Sequence, residues 1–296
     1  MIKPIHAMAL ICLSPFVGLL PSSIFAQDRI HSPYFVTYDH YLEDVDELEI
    51  ATTFVNGRDP AINNFVSNYT EFEYGARKWW TTELYIDWQH TNHEGNLFTG
   101  YRWENRFRPF LEPHKVNLVL YVEYEHLNEA DKSLKEIVGF DGIADLAEPM
   151  DETRREKERE IETKLIFSSQ IGQWNLSENF IGAKGIHGGK WEFGYAVGLS
   201  RPLAAPTGRR CTFCAEKFSA GIEVYGGLGE WGDFTFRNTS QYIAPTVLWS
   251  LPSETNIQFS PGWGLTSNSV GNLFRFGVSQ EIDDIGRRIG KLFGRH

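Results

Sequence analysis

Residues 70–110 read TEFEYGARKWWTTELYIDWQHTNHEGNLFTGYRWENRFRPF, and this stretch decides the fold. On a period of two, its first segment puts Thr70, Phe72, Tyr74 and Ala76 on one side and Glu71, Glu73, Gly75 and Arg77 on the other. The second sets Trp80, Thr82, Leu84, Ile86 and Trp88 against Thr81, Glu83, Tyr85, Asp87 and Gln89. The third sets Leu97, Thr99, Tyr101, Trp103 and Phe107 against Gly100, Arg102, Glu104 and Arg106. Alternation sustained over roughly ten residues means β-strands with one apolar and one charged face. A soluble sandwich would show the same period with its charged face in water. Here the apolar faces are aromatic, and the aromatics gather near the segment ends. That is the pattern of a membrane-spanning barrel, whose strands need about 9–11 residues to cross and are girdled by aromatics at both interfaces.

Working outward, the same period recurs at 46–55, at 115–126 and from Glu158 to Phe167. It recurs again at 174–184, where it slips by one residue as a β-bulge would make it do. Further repeats lie at 190–202, 217–227, 241–251, 255–265 and 271–281. The fold class is therefore all-β: an antiparallel, up-and-down transmembrane β-barrel of about 12 strands over residues 44–282. Links after the second, fourth, sixth and tenth strands are short and the others longer, as expected for periplasmic turns and external loops. The Pro/Gly-containing link 203–216 breaks this pattern. Residues 56–68 and 90–96 read as loops, and the longest link, 127–157, is charged, partly helical and expected outside the cell.

The ends of the chain carry other signals. Lys3, the apolar run Met8–Leu20 and Ser23–Ala26 read as a secretory signal peptide over residues 1–26, with Cys12 inside it. Residues 27–43 form an aromatic lead-in, either a small plug in the barrel mouth or, more plainly, an ordered segment in the periplasm. In the tail 283–296, Ile285, Ile289, Leu292 and Phe293 fall at helical spacing beside Arg287, Arg288, Lys291 and Arg295. It reads as a periplasmic basic amphipathic helix for anionic headgroups or as a frayed end.

Composition bounds the function. Aromatic residues make up 14% of the chain, with Trp 9 and Gly 27, which suits strands ending at membrane interfaces and tight turns. A formal charge of −11 and a pI near 5.3 disfavour nucleic acid as a partner. Mean hydropathy of −0.33 and the absence of an apolar run of about 18 residues argue against membrane helices but not against a barrel.

Facing alone gives the candidate pore-lining set. It comprises Glu71, Glu73, Arg77, Glu83, Asp87, Arg102, Glu104, Arg106, Tyr121, Glu123, Glu125, Glu160, Glu162, Lys164, Glu192, Glu223 and Arg275. These groups form either a structural network of Arg–carboxylate pairs or the wall of a narrow cation-preferring pore. Small inward residues on the eighth strand (Gly194, Ala196, Gly198) leave room in the lumen. Cys211 and Cys214 have the spacing of a zinc half-site, a redox pair or a local disulfide, and an oxidising periplasm favours the disulfide. A second Cys pair for zinc and a His after Cys214 for haem are both missing. No nucleophile motif accompanies His90, His93 or His187, so a lipid-modifying enzyme ranks third among the readings. No cofactor is implied.

With these features in place, the chain resembles Gram-negative outer-membrane β-barrels. Segments such as TEFEYGARKWWTTELYID, ENRFRPF and SENFIGAKGIHGGKWEFGYAVGLSRPL look similar to bacterial proteins near the outer-membrane family linked to the meta-pathway of phenol degradation. The resemblance implies an outer-membrane location and uptake of small or aromatic molecules, with outer-membrane lipid and the barrel assembly machinery as partners. It supplies no functional residues to carry over. The expected role is passive passage of a small solute, aromatic or cationic, through a constricted acidic lumen. The runner-up is a plugged structural or adhesion barrel that presents the 127–157 loop.

Overall fold

The computed structural model describes residues 32–133, 137–205 and 211–292. The signal peptide read at 1–26, and Phe293 and Arg295 of the tail, lie outside the described residues. The strands are β1 (Leu48–Arg58), β2 (Phe65–Arg77), β3 (Trp80–Thr91), β4 (Gly95–Phe107), β5 (Asn117–Asn128), β6 (Lys157–Ile171) and β7 (Trp174–Gly185). They continue with β8 (Glu192–Pro202), β9 (Phe218–Glu230), β10 (Asp233–Phe234), β11 (Gln241–Ser250), β12 (Thr255–Gly264) and β13 (Asn272–Ile282). Successive strands pair antiparallel, and β13 returns to β1 in unbroken register from Leu48↔Ile282 to Arg58↔Asn272. The sheet therefore closes on itself and leaves no exposed edge. β10 is a two-residue hairpin partner of β9, so the wall has twelve strands and one extra. Short helices α1 (Ile143–Leu146) and α2 (Met150–Thr153) lie in the longest loop, and α3 (Ile285–Leu292) follows β13.

The burial pattern is that of an inside-out protein. Trp103 and Phe180 are more than half exposed, while their strand-mates Glu104 and Asn179 are shut away from solvent. No packed neighbour covers the outward apolar faces of a closed barrel, so only lipid can satisfy them. Trp80 stacks with Phe107 at one end of β3, and Trp88 meets Phe98 at the other. Eight residues separate the two tryptophans, about 26 Å along a strand at ~3.3 Å per residue and roughly 20 Å of height at the ~40° tilt of such strands, which fits inside an apolar band roughly 25 Å tall. Among the described residues no helix is long and apolar enough to cross a membrane, which says nothing of strands.

Four local expectations change. β2 begins at Phe65 rather than near Thr70, because Phe65 and Ser67 complete the inward row opposite Thr91 and Gln89. The 90–96 loop shrinks to three residues, with His93 (φ 68°) and Gly95 (φ 113°) supplying the left-handed turn. On β4 a register shift opposite Asp87/Trp88 turns Thr99 inward and Phe98 outward, which a strict period of two could not show. β7 runs without a bulge, its register unbroken on both sides. The slip there comes from Ile181 and Ala183, apolar residues that face inward and are buried.

Candidate functional site

The lumen has a charged wall and a wall covered by the chain itself. On β2–β6, Arg106 lies between Glu73 and Glu83 and reaches Glu104 at 3.1 Å. One step up, Arg102 pairs with Asp87 at 3.2 Å and Glu123 at 3.4 Å, and lies over the Tyr85 ring at 4.1 Å. Lys164 bonds Glu162 at 2.9 Å, with its ammonium 4.1 Å from the centre of the Tyr121 ring. Each cation thus contacts at least one carboxylate and an aromatic face, which is how charges persist out of water.

The second wall is answered by residues 32–47, which run inside the barrel. Glu223, fully buried on β9, accepts the N–H groups of Phe35 (3.0 Å), Val36 (2.9 Å) and Thr37 (2.7 Å). Successive backbone N–H groups converging on one carboxylate form an anion nest. Asn179 on β7 accepts the Tyr38 N–H at 2.6 Å and donates to its carbonyl at 2.9 Å, as a neighbouring strand would. Tyr34 donates its hydroxyl to Asn175 at 3.0 Å, Tyr38 donates to Glu104 at 2.9 Å, and His40 Nδ1 lies 2.8 Å from Ser168 Oγ. At the rim, Asp46 and Glu47 join the backbone of Gly75. A Cβ at Gly75 would stand 1.8 Å from the Asp44 carbonyl, so only glycine lets the lead-in enter there. Of the two readings of the lead-in, the plug is the one the structure adopts.

The longest loop enters from the other mouth. Val138 and Gly139 bridge to Gly194 and Gly229. Gln89 grips the loop by donating to the Ala130 carbonyl at 2.7 Å and accepting the Lys132 N–H at 2.9 Å. Leu146 of α1 is fully buried in one apolar cluster with Val36, Tyr225, Tyr242 and Leu273. The loop is therefore folded inward rather than presented. The room expected along β8 is filled: a Cβ at Gly194 would meet the Ile137 carbonyl at 2.2 Å, and one at Gly198 would meet the Tyr34 ring at 2.6 Å.

Most residues chosen by facing point into this interior. Glu73, Glu83, Asp87, Arg102, Glu104, Arg106, Tyr121, Glu123, Glu162, Lys164, Glu223 and Arg275 are buried, and Glu71, Glu125, Glu160 and Glu192 are half-buried. Arg275 donates to the Tyr225 hydroxyl at 2.5 Å. Arg77 does not belong: a register shift at Gly75/Arg77 carries it out of the alternation to the exposed turn, where it bonds the Ala76 carbonyl. Glu123, Glu125 and Glu162 bring carboxylate oxygens within 4.8 Å of one another, but Arg102 and Lys164 already engage two of the three. Cys211 and Cys214 are joined as a disulfide. Asn175, Asn179, Ser168 and His40 were missed because neutral polar residues carry no facing signal, and their partners lie more than a hundred residues away.

No protein-family model and no curated protein sequence matches this chain. Among solved structures, an outer membrane channel from Pseudomonas putida F1 is similar at a TM-score of 0.52 and 8% identity, over 82% of this chain and 98% of that one. The NanC porin is similar at 0.49 and 9% identity, over 79% and 100%. The KdgM porin is similar at 0.47 and 5% identity, over 79% and 98%. At such identities the likeness is one of fold. A closed twelve-stranded wall, apolar outside and charged within, makes this chain an outer-membrane β-barrel.

Proposed function

We propose that the chain is a pore for small solutes, held shut by its own residues 32–47. The observation that supports this is how the lead-in is anchored. Glu223, Asn179, Asn175 and Ser168 hold it by hydrogen bonds, and water can replace every one of those bonds once the segment leaves. That exchange is close to balanced, and the packing lost on release is confined to a few side chains such as Val36 and Leu42, so the segment is easier to remove than a wholly apolar plug would be. Behind it lies a lumen of the size class between barrels filled by side chains and open porins. Acid exceeds base on the β2–β6 wall, which favours cations. Tyr85 and Tyr121 already hold Arg102 and Lys164 over their rings, so this wall is built to receive cationic groups, in line with passage of a cationic solute. The alternative of a barrel that displays its long loop is less well supported, because that loop commits Leu146 and Ala130 to the barrel interior.

Planar-bilayer recording of the full chain and of a chain lacking residues 32–43 tests this reading. The full chain is expected to conduct rarely, and the shortened one steadily with a cation-selective reversal potential. Two equally silent proteins would overturn the pore in favour of a structural barrel.

A further inference from the structure

A cavity that the pore does not use lies on the outer surface. It is a groove of about 690 Å³ on the lipid-facing side of β13, β1 and β2, in the half of the wall next to the longer loops. Cross-strand rows build it: Phe54 opposite Phe276, Asn56 opposite Phe274, and Arg58 opposite Asn272. The groove is graded along the membrane normal, phenyl rings in the apolar band and then amide and guanidinium groups at its external end. Arg58 uses one of the five N–H donors of its guanidinium on Asn56 Oδ1, at 2.8 Å. The neighbouring Asp59 is turned onto the backbone, accepting the N–H groups of Ala61 and Gly271 at 2.9 Å. Arg159 and Lys184 lie near the loop-side ends of β6 and β7, across the barrel and outside the groove.

We propose that this groove holds one phosphorylated, multiply acylated glycolipid of the outer leaflet. An acyl chain would lie along Phe54, Phe274 and Phe276, with its phosphate on Arg58 and the amides of Asn56 and Asn272. The order of groups matches such a lipid: an apolar trough continuous with the lipid-facing belt, closed at its headgroup end by a cation and two amides. The site is independent of whether the lumen conducts.

Native mass spectrometry of the full chain in nonionic detergent tests it, with a diphosphorylated hexa-acyl glucosamine disaccharide as probe. Phosphatidylcholine and inorganic phosphate are the comparison arms, and compact mobility in unheated SDS gels confirms folding. One copy of the glycolipid is expected to bind. Arg58→Gln and Phe274→Ala should each weaken it about tenfold, because one loses the charge-assisted bonds and the other the apolar floor. Arg159→Gln, outside the groove, should leave it unchanged. The site is overturned if Arg58→Gln binds as the parent does, if Arg159→Gln weakens binding equally, or if phosphatidylcholine or free phosphate saturates the protein as well.

Discussion

On β2–β6 the inward charges meet one another: Arg106 gathers Glu73, Glu83 and Glu104, and Arg102 gathers Asp87 and Glu123. On β7 and β9 the inward groups Asn175, Asn179 and Glu223 are met instead by residues 34–38, and Ser168 at the end of β6 by His40. The ion pairs of the first wall form as soon as the strands pair, and the lead-in adds only the Tyr38 hydroxyl on Glu104 and its ring beside Arg106 and Lys164. The second is finished only when the lead-in docks. One barrel thus carries a rigid, self-satisfied sector and a sector whose polar groups pass between protein and water at little net cost.

The largest effect should come from breaking the rigid sector. Arg106→Ala leaves three carboxylates buried without their shared cation, at a cost of about 3–5 kcal/mol. The variant should lose the compact mobility of the folded barrel in unheated SDS gels; parent-like mobility would mean the charged wall does not stabilise the fold. Glu223→Gln should act differently. Removing the charge from the three-donor nest should cost about 2 kcal/mol, roughly thirtyfold in the docking equilibrium. Hydrogen exchange at the amides of Phe35, Val36 and Thr37 should quicken accordingly while the barrel's thermal midpoint stays put. If the midpoint fell with the exchange, the two sectors would be one.

The smallest effect is one of pH. Burial pushes the His40 imidazole below its ordinary value of 6.5; Asp39 pulls it partly back and Arg108 adds to the drop. A group whose docked value is depressed favours docking above 6.5, and that preference fades as pH falls from 6.5 through the docked value. Exchange in residues 35–38, taken relative to the intrinsic amide rate at each pH, should therefore rise a few-fold between about pH 7 and pH 5, and His40→Gln should flatten the profile. A rise of the same size in His40→Gln would place the titrating group elsewhere.

How much of this was legible in the sequence follows from the same contrast. The charged wall alternates strictly with Phe, Trp and Leu, so Glu73, Glu104 and Lys164 could be faced inward from spacing alone. The same spacing faces Arg77 inward and Thr99 outward, and both are wrong, because each sits beside a register shift that depends on the partner strand. The covered wall was opaque for a different reason. Glu223 looked like any lumen carboxylate, since its partners are backbone N–H groups some 186–188 residues earlier and carry no side-chain signature. Gly194 and Gly198 were correctly small and inward, yet the space they leave belongs to Ile137 and Tyr34 rather than to water.

The most direct measurement is the rate at which a small thiol reagent reaches Ser177→Cys, in the full chain and in one lacking residues 32–43. Ser177 is fully buried on the covered wall, bonded to Ser168 and Asn175, the same groups that hold His40 and Tyr34. The native cysteines among the described residues are locked as a disulfide and stay silent. Labelling is expected to be at least about tenfold slower in the full chain, as the fraction of time the segment spends undocked sets the rate. Equal rates in the two proteins would contradict a lumen closed by its own lead-in.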